Sequence, residues 1–144
     1  MKSKSIPEIQ EEIVEEFEFL GEWPEKYEHL MNIGKILPRL PEDAYSDANK
    51  VKGCQSNIWM ITHTENGNII FEGDSDALLV KGLVALLLKV FSNHTPDEIL
   101  SANLDFLDKI GLQANLSNTR NNGLAAMVKQ IKFYALAYKA KLTA

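Results

Sequence analysis

The chain has 144 residues, 45% of them apolar, and a formal net charge of -5. That size and apolar fraction fit one globular domain, residues 1–144, with no low-complexity stretch to suggest disorder. The acidic balance, with no basic stripe to neutralise phosphates, excludes an ordinary nucleic-acid binder. The longest apolar run, Ala77 to Val90, is broken by Lys81, Gly82 and Lys89 and is too short to span a bilayer. No apolar signal core stands at the N-terminus, so no membrane association is expected. One unpaired cysteine without an export signal fits a reducing cytoplasm.

In chain order, Ser5-Ile6-Pro7-Glu8 reads as a capping box with proline near a helix start. Ile6, Ile9, Ile13, Phe17 and Leu20 recur at three- and four-residue steps, which predicts an amphipathic helix over 6–20, stopped by Gly21. Glu8, Glu11, Glu12, Glu15, Glu16 and Glu18 cover the rest of it, as a solvated face or as a docking surface for a basic partner. A second helix is predicted over 23–37, with Pro24 in its first turn and Pro38 and Pro41 closing it. Residues 41–47 are a connecting loop.

Ile58 to Thr64 is rich in β-branched and aromatic residues, Asn66-Gly67 is a two-residue turn signal, and Asn68 to Glu72 returns as the partner strand. That register sets Trp59 opposite Asp74. Residues 49–52 are expected as a short third strand. Gly73-Asp74-Ser75-Asp76-Ala77 reads as strand end, turn and helix cap. The helix from Asp76 to Phe91 is apolar nearly all round, as a helix buried at a domain centre is. Thr95-Pro96-Asp97-Glu98 is a second capping box; short helices follow over 96–101 and 104–110, with Gly111 as a stop. Ser117 or Asn118 caps the last helix, whose stripe is Leu124, Met127, Val128, Ile131, Tyr134, Ala135 and Tyr138. Helices flanking a small antiparallel sheet of about three strands, packed on a buried central helix, make the fold class α+β.

The stretch that carries chemistry is Val51-Lys52-Gly53-Cys54-Gln55-Ser56-Asn57-Ile58-Trp59. A lone cysteine forms no internal disulfide and no zinc site. It is a buried structural thiol, a reactive thiol or an accident. Gly53 suits a tight loop that presents the next side chain, and Gln55, Ser56 and Asn57 are loop residues. The helix starts at Asp74-Ser75-Asp76 and at Ser117-Asn118-Thr119-Arg120 could meet this loop. A helix N-terminus or the Arg120 guanidinium would favour thiolate, whereas Asp74 and Asp76 would oppose it. On spacing alone Arg120 is a surface arginine, Asp74 a cap and Asp76 a first-turn acid.

With Gly73-Asp74-Ser75-Asp76-Ala77, Val80-Lys81-Gly82-Leu83 and Leu116-Ser117-Asn118-Thr119-Arg120-Asn121-Asn122-Gly123-Leu124, that stretch resembles the SufE family of sulfur-acceptor proteins, which includes the paralogue CsdE. Trp23-Pro24-Glu25-Lys26-Tyr27 is a weaker echo, and Asn118 stands where family members often have proline. The resemblance runs from about residue 10 to 140. It implies an α+β fold shared with IscU-type scaffold proteins. It also implies that Cys54 accepts sulfane sulfur, as a persulfide, from a pyridoxal-phosphate cysteine desulfurase (SufS- or CsdA-like). The sulfur then passes to an iron–sulfur scaffold complex (SufBCD-like), and the desulfurase turns over faster. Gly53, Gln55, Asp74 and Arg120 become positions for loop placement or partner contact. No metal or bound cofactor is implied on this side of the transfer. Monomer and homodimer both stay open.

A persulfide is easily reduced or oxidised, so the Cys54 loop is expected to pack inward in the free protein and swing out at the desulfurase, hinged near Gly53. Three other readings compete. One is a cysteine hydrolase with His29, His63 or His94 as base. The second is a non-catalytic binding module in which Cys54 is incidental. The third is an iron–sulfur scaffold, for which one cysteine per chain would demand a site between subunits.

Overall fold

Helix α1, Ile6–Phe19, forms where both its cap and its periodicity put it. The Ser5 hydroxyl accepts the Glu8 N–H at 3.3 Å and the Glu8 carboxylate accepts the Ser5 N–H at 3.3 Å. Ile6, Ile13, Val14 and Phe17 point inward and the glutamates outward. The computed structural model describes residues 4–143. Helix α2 follows at Trp23–Lys35 and α3 at Leu78–Phe91. The capping box on Thr95 and Glu98 opens α4, Pro96–Ser101, and α5 spans Asp105–Lys109. Gly111, at φ 75°, turns the chain away from α5. Ser117 caps α6, Asn118–Thr143, accepting the Arg120 N–H at 3.2 Å.

Strands β1, Ile58–Glu65, and β2, Asn68–Ser75, pair antiparallel around Asn66-Gly67, both at positive φ. The register sets Trp59 opposite Asp74, as the turn predicted. The buried face carries Ile58 and Met60 from β1 with Ile69, Phe71 and Gly73 from β2. Among the described residues the sheet has two strands, not about three. Residues 49–52 make one bridge, Lys50 to Trp59, because a single 3-10 turn, Asp47–Asn49, runs straight into them and the Lys52-Gly53 bend follows.

Helix α3 starts two residues later than its sequence pattern suggests. β2 runs on to Ser75, and Ala77 keeps an extended backbone. Asp76 therefore lies ahead of the first turn of α3 and is not a first-turn acid; its carboxylate accepts from the Asn57 side chain at 2.7 Å. α3 lies at the centre, with Leu83, Leu86, Leu87 and Phe91 at most 1% exposed. Each buried leucine stabilises by roughly 2 kcal/mol, so this helix supplies much of the burial term. Leu30 of α2 and Met127 and Ile131 of α6 complete the layer around it.

α2 and α3 meet backbone to backbone. A Cβ on Gly82 would lie 2.2 Å from the Leu30 carbonyl oxygen, and one on Gly34 would lie 2.7 Å from the Gly82 nitrogen. On the other side Lys132 of α6 reaches under α4. Its ammonium donates to the carbonyls of Ile99, Leu100 and Ala102 at 2.6, 3.3 and 2.8 Å, adding to the single backbone bond at that helix end, from the Ala102 N–H to the Ile99 carbonyl. Among the described residues no helix is long and apolar enough to cross a membrane.

Candidate functional site

The Cys54 loop is closed at its base by the Val51 N–H, which donates to the Ile58 carbonyl at 2.8 Å. Gly53 sits at φ 92°, a backbone region that other residues adopt only at a cost. The far side of the loop is pinned to the end of β2. The Asn57 carbonyl accepts from the Ser75 hydroxyl at 2.8 Å and from the Asp76 N–H at 3.4 Å. Beneath the loop runs the first part of α6, where small residues let it come close. A Cβ on Gly123 would lie 3.6 Å from the Cys54 Cβ, and one on Gly53 would lie 3.7 Å from the Ala126 Cβ.

Cys54 is half-buried, and its thiol donates to the Val51 carbonyl at 3.1 Å. On the inner side it lines a cavity of about 10 Å³ with Ile58, Val80, Leu83, Leu124 and Met127, and with Arg120 and Thr119 at its edge. That is the scale of a single water-sized atom. On the outer side Gly53, Cys54, Gln55, Thr119 and Asn122 line an open, polar depression. The sulfur thus stands between a small apolar hole and solvent.

Burial pushes the Cys54 thiol up from its ordinary value. The sequence argument that a helix start and Arg120 would favour thiolate does not describe this state: the Sγ hydrogen bond goes to a carbonyl, and the Arg120 side chain is exposed. The resting sulfur is therefore a thiol at neutral pH. Alkylation of Cys54 by iodoacetamide is expected to titrate with a midpoint above that of the same cysteine in the urea-unfolded chain. Coincident midpoints would contradict the packing described.

Asp74 is placed elsewhere. It is 3% exposed, and its carboxylate accepts from the Tyr45 hydroxyl at 2.5 Å and the Ser75 N–H at 2.8 Å, with the Lys81 ammonium at 3.3 Å. Burial alone would raise its carboxyl, but these donors outweigh burial and hold it below the usual carboxylate range. Asp74 is thus no helix cap, and it lines neither cavity at Cys54. Through Tyr45, which also accepts the Leu40 N–H at 3.0 Å and packs edge-on against Trp59 at 5.0 Å, it ties the 39–45 segment to the strand that follows the cysteine loop.

None of the histidines lines a cavity with Cys54. His29 pairs with Glu16 at 3.3 Å, and His63 lies between Glu65 at 2.8 Å and Glu72 at 3.8 Å. His94 is buried against the Lys4 carbonyl at 2.9 Å. A hydrolase with one of them as base finds no support. Among the described residues, no three His, Cys, Asp or Glu side chains come together as a metal site requires. Gly53, Cys54 and Gln55 line the outer depression and Arg120 the edge of the inner cavity, whereas Asp74 lines neither; sequence reasoning named Thr119 and Gly123 only inside a longer motif and did not name Ala126. The one available signal was a glycine inside a helical pattern, which marks a close approach.

An α+β chain with one half-buried thiol on a closed loop over a single-atom hole matches a family model along most of its length. That model, described as SufE, Fe-S metabolism associated domain, covers residues 11–135. The chain belongs to the SufE family and so to proteins associated with iron–sulfur metabolism. An uncharacterised SufE-like protein of Rhizobium etli is 43% identical over 127 residues, which are 85% of this chain and 86% of that one. A SufE-like protein of Synechocystis is 37% identical over 139 residues, 96% of this chain and 87% of that one. The chloroplastic/mitochondrial SufE-like protein 1 of Arabidopsis thaliana is 41% identical over 96% of this chain, which spans 38% of that longer protein. A Thermus thermophilus protein solved in solution superposes with a TM-score of 0.74 over 94% of this chain and 97% of its own, at 20% identity, and shows the same fold.

Proposed function

We propose that this protein is a cytoplasmic sulfur acceptor. It takes sulfane sulfur on Cys54 from a pyridoxal-phosphate cysteine desulfurase, speeds that enzyme's turnover, and relays the sulfur to an iron–sulfur assembly scaffold. The observation that carries the reading is the position of the Cys54 sulfur, on a closed loop between an apolar hole of about 10 Å³ and an open polar depression. In the transfer, the Cys54 thiolate attacks the outer sulfur of the donor's cysteine persulfide. The S–S bond to the donor cysteine breaks, that cysteine leaves as a thiolate, and a persulfide forms on Cys54. The hole gives the added sulfur shelter from water and oxidant. Pyridoxal phosphate belongs to the donor, and nothing in the step asks for a metal here.

Burial raises the Cys54 thiol and so keeps the thiolate fraction of the resting state low, and activation comes with docking. Leaving the Val51 carbonyl and the apolar wall for a donor surface lowers the cost of ionisation. Gly53 and Gln55 shape the exposed lip, and Arg120, at the cavity edge, offers a cation to the developing thiolate. Asp74 acts at a distance, by fixing the strand on which the loop leans.

Two measurements test this. Alanine production by a SufS-like desulfurase is expected to rise on adding the protein; an unchanged rate would count against the role. Hydrogen exchange at residues 51–57 is expected to change when the desulfurase binds, and unchanged protection would contradict the swinging loop.

A further inference from the structure

Leu37 and Pro38, just after α2, face Ala85 and Lys89 of α3 across an open trough. One lobe, of about 380 Å³, lies on the α1 side beneath Glu16 and Ile36. The other, of about 520 Å³, runs past Leu88 to Glu65 and Glu72 at the sheet. The lobes share Leu37, Pro38, Ala85 and Lys89, so they form one surface. Ile36 on its lip is 80% exposed, an unusual place for isoleucine in a chain that buries most of its others. Concave apolar surface of this extent is a candidate docking surface.

The rim states what binds. Glu16, Glu65 and Glu72 are 42%, 61% and 44% exposed, and against these carboxylates the trough holds the single ammonium of Lys89. His63 is already engaged by Glu65 and Glu72. On the α1 side Glu16 belongs to the helix whose exposed glutamates read in the sequence as a solvated face or as a docking surface for a basic partner. We propose that this trough docks a cationic amphipathic segment of a partner protein. Its apolar side chains would lie between Leu37 and Leu88, and its lysines or arginines on Glu16, Glu65 and Glu72. No residue of the trough lines either cavity at Cys54, so such a partner and a sulfur donor have no need to compete. The docking is independent of any chemistry at Cys54.

The test titrates the isotope-labelled full chain with a short synthetic leucine–lysine amphipathic peptide, and with its leucine–glutamate counterpart. The lysine peptide is expected to shift the backbone amides of Ile36, Ala85, Leu88 and Glu72, and the glutamate peptide to bind far more weakly. Ile36→Lys and Glu72→Lys, both at side chains that reach solvent, are each expected to weaken the lysine peptide by about fivefold or more, near 1 kcal/mol. Cys54→Ser is expected to leave that affinity unchanged. The proposal is overturned if no binding occurs, or if shifts stay on the outer face of α1. Wild-type affinity in both variants would also overturn it, because the peptide would then be bound somewhere other than this trough.

Discussion

Cys54→Ser is expected to abolish desulfurase stimulation completely while leaving the fold in place. Serine replaces the thiol nearly isosterically and can donate the same hydrogen bond to the Val51 carbonyl, now 3.1 Å from Sγ. Stability should change by no more than about 1 kcal/mol, as for most substitutions that create neither cavity nor clash. The hydroxyl, however, neither ionises at neutral pH nor holds a sulfane sulfur. Transfer has no other thiol to use, because Cys54 is the chain's one cysteine. The comparison of wild type and variant is read as alanine formed per desulfurase per minute, with thermal melts of both proteins run beside it. Loss of stimulation with an unchanged melt agrees with the proposal. Retained stimulation would make the thiol incidental and return the chain to a binding module.

Gly82→Ala carries the largest expected effect on stability. The added methyl would meet the Leu30 carbonyl oxygen at 2.2 Å, and backbone cannot step aside as a side-chain tip can. α2 must then move off α3, and the contact between them lies beside the buried Leu30 and Leu83. The cost is roughly 3 kcal/mol or more, which for a chain of this size lowers Tm by about 10 °C. Gly34→Ala strikes the same crossing from the other side, at 2.7 Å from the Gly82 nitrogen. The double variant is therefore expected to lose less than the sum of the two, since once the helices part both methyls have room. Melting curves of the two single variants and the double variant check this. An unchanged Tm in Gly82→Ala would mean that the helices are not packed backbone to backbone.

The parts of this fold that sequence made legible are the ones set by neighbours in the chain. The capping boxes on Ser5 and Thr95 specify helix starts through side chains three residues apart. The Asn66-Gly67 turn fixed the register that puts Trp59 beside Asp74. The nearly all-round apolar character of residues 78–91 marked the central helix. What could not be read depends on partners far along the chain. Asp74 looks like a helix cap until Tyr45, from a separate segment, donates to it. Lys132 looks like a surface lysine until the carbonyls of Ile99, Leu100 and Ala102 meet its ammonium. A short run before Cys54 resembles a strand, yet a helical turn on one side and the Gly53 bend on the other leave it one bridge long. At the site the cysteine loop and Arg120 were legible as motifs. The floor under the sulfur was not, because Gly123 and Ala126 matter by being small, and a glycine inside a helical pattern signals a close approach without saying to what.

The most direct test of the central claim is mass spectrometry of the intact protein and its peptides after incubation with a cysteine desulfurase and free cysteine, without reductant. The account predicts an added mass of one sulfur atom, confined to the peptide that contains Cys54 and removed by dithiothreitol. An unmodified Cys54 peptide, under conditions where the desulfurase itself carries a persulfide, would contradict it.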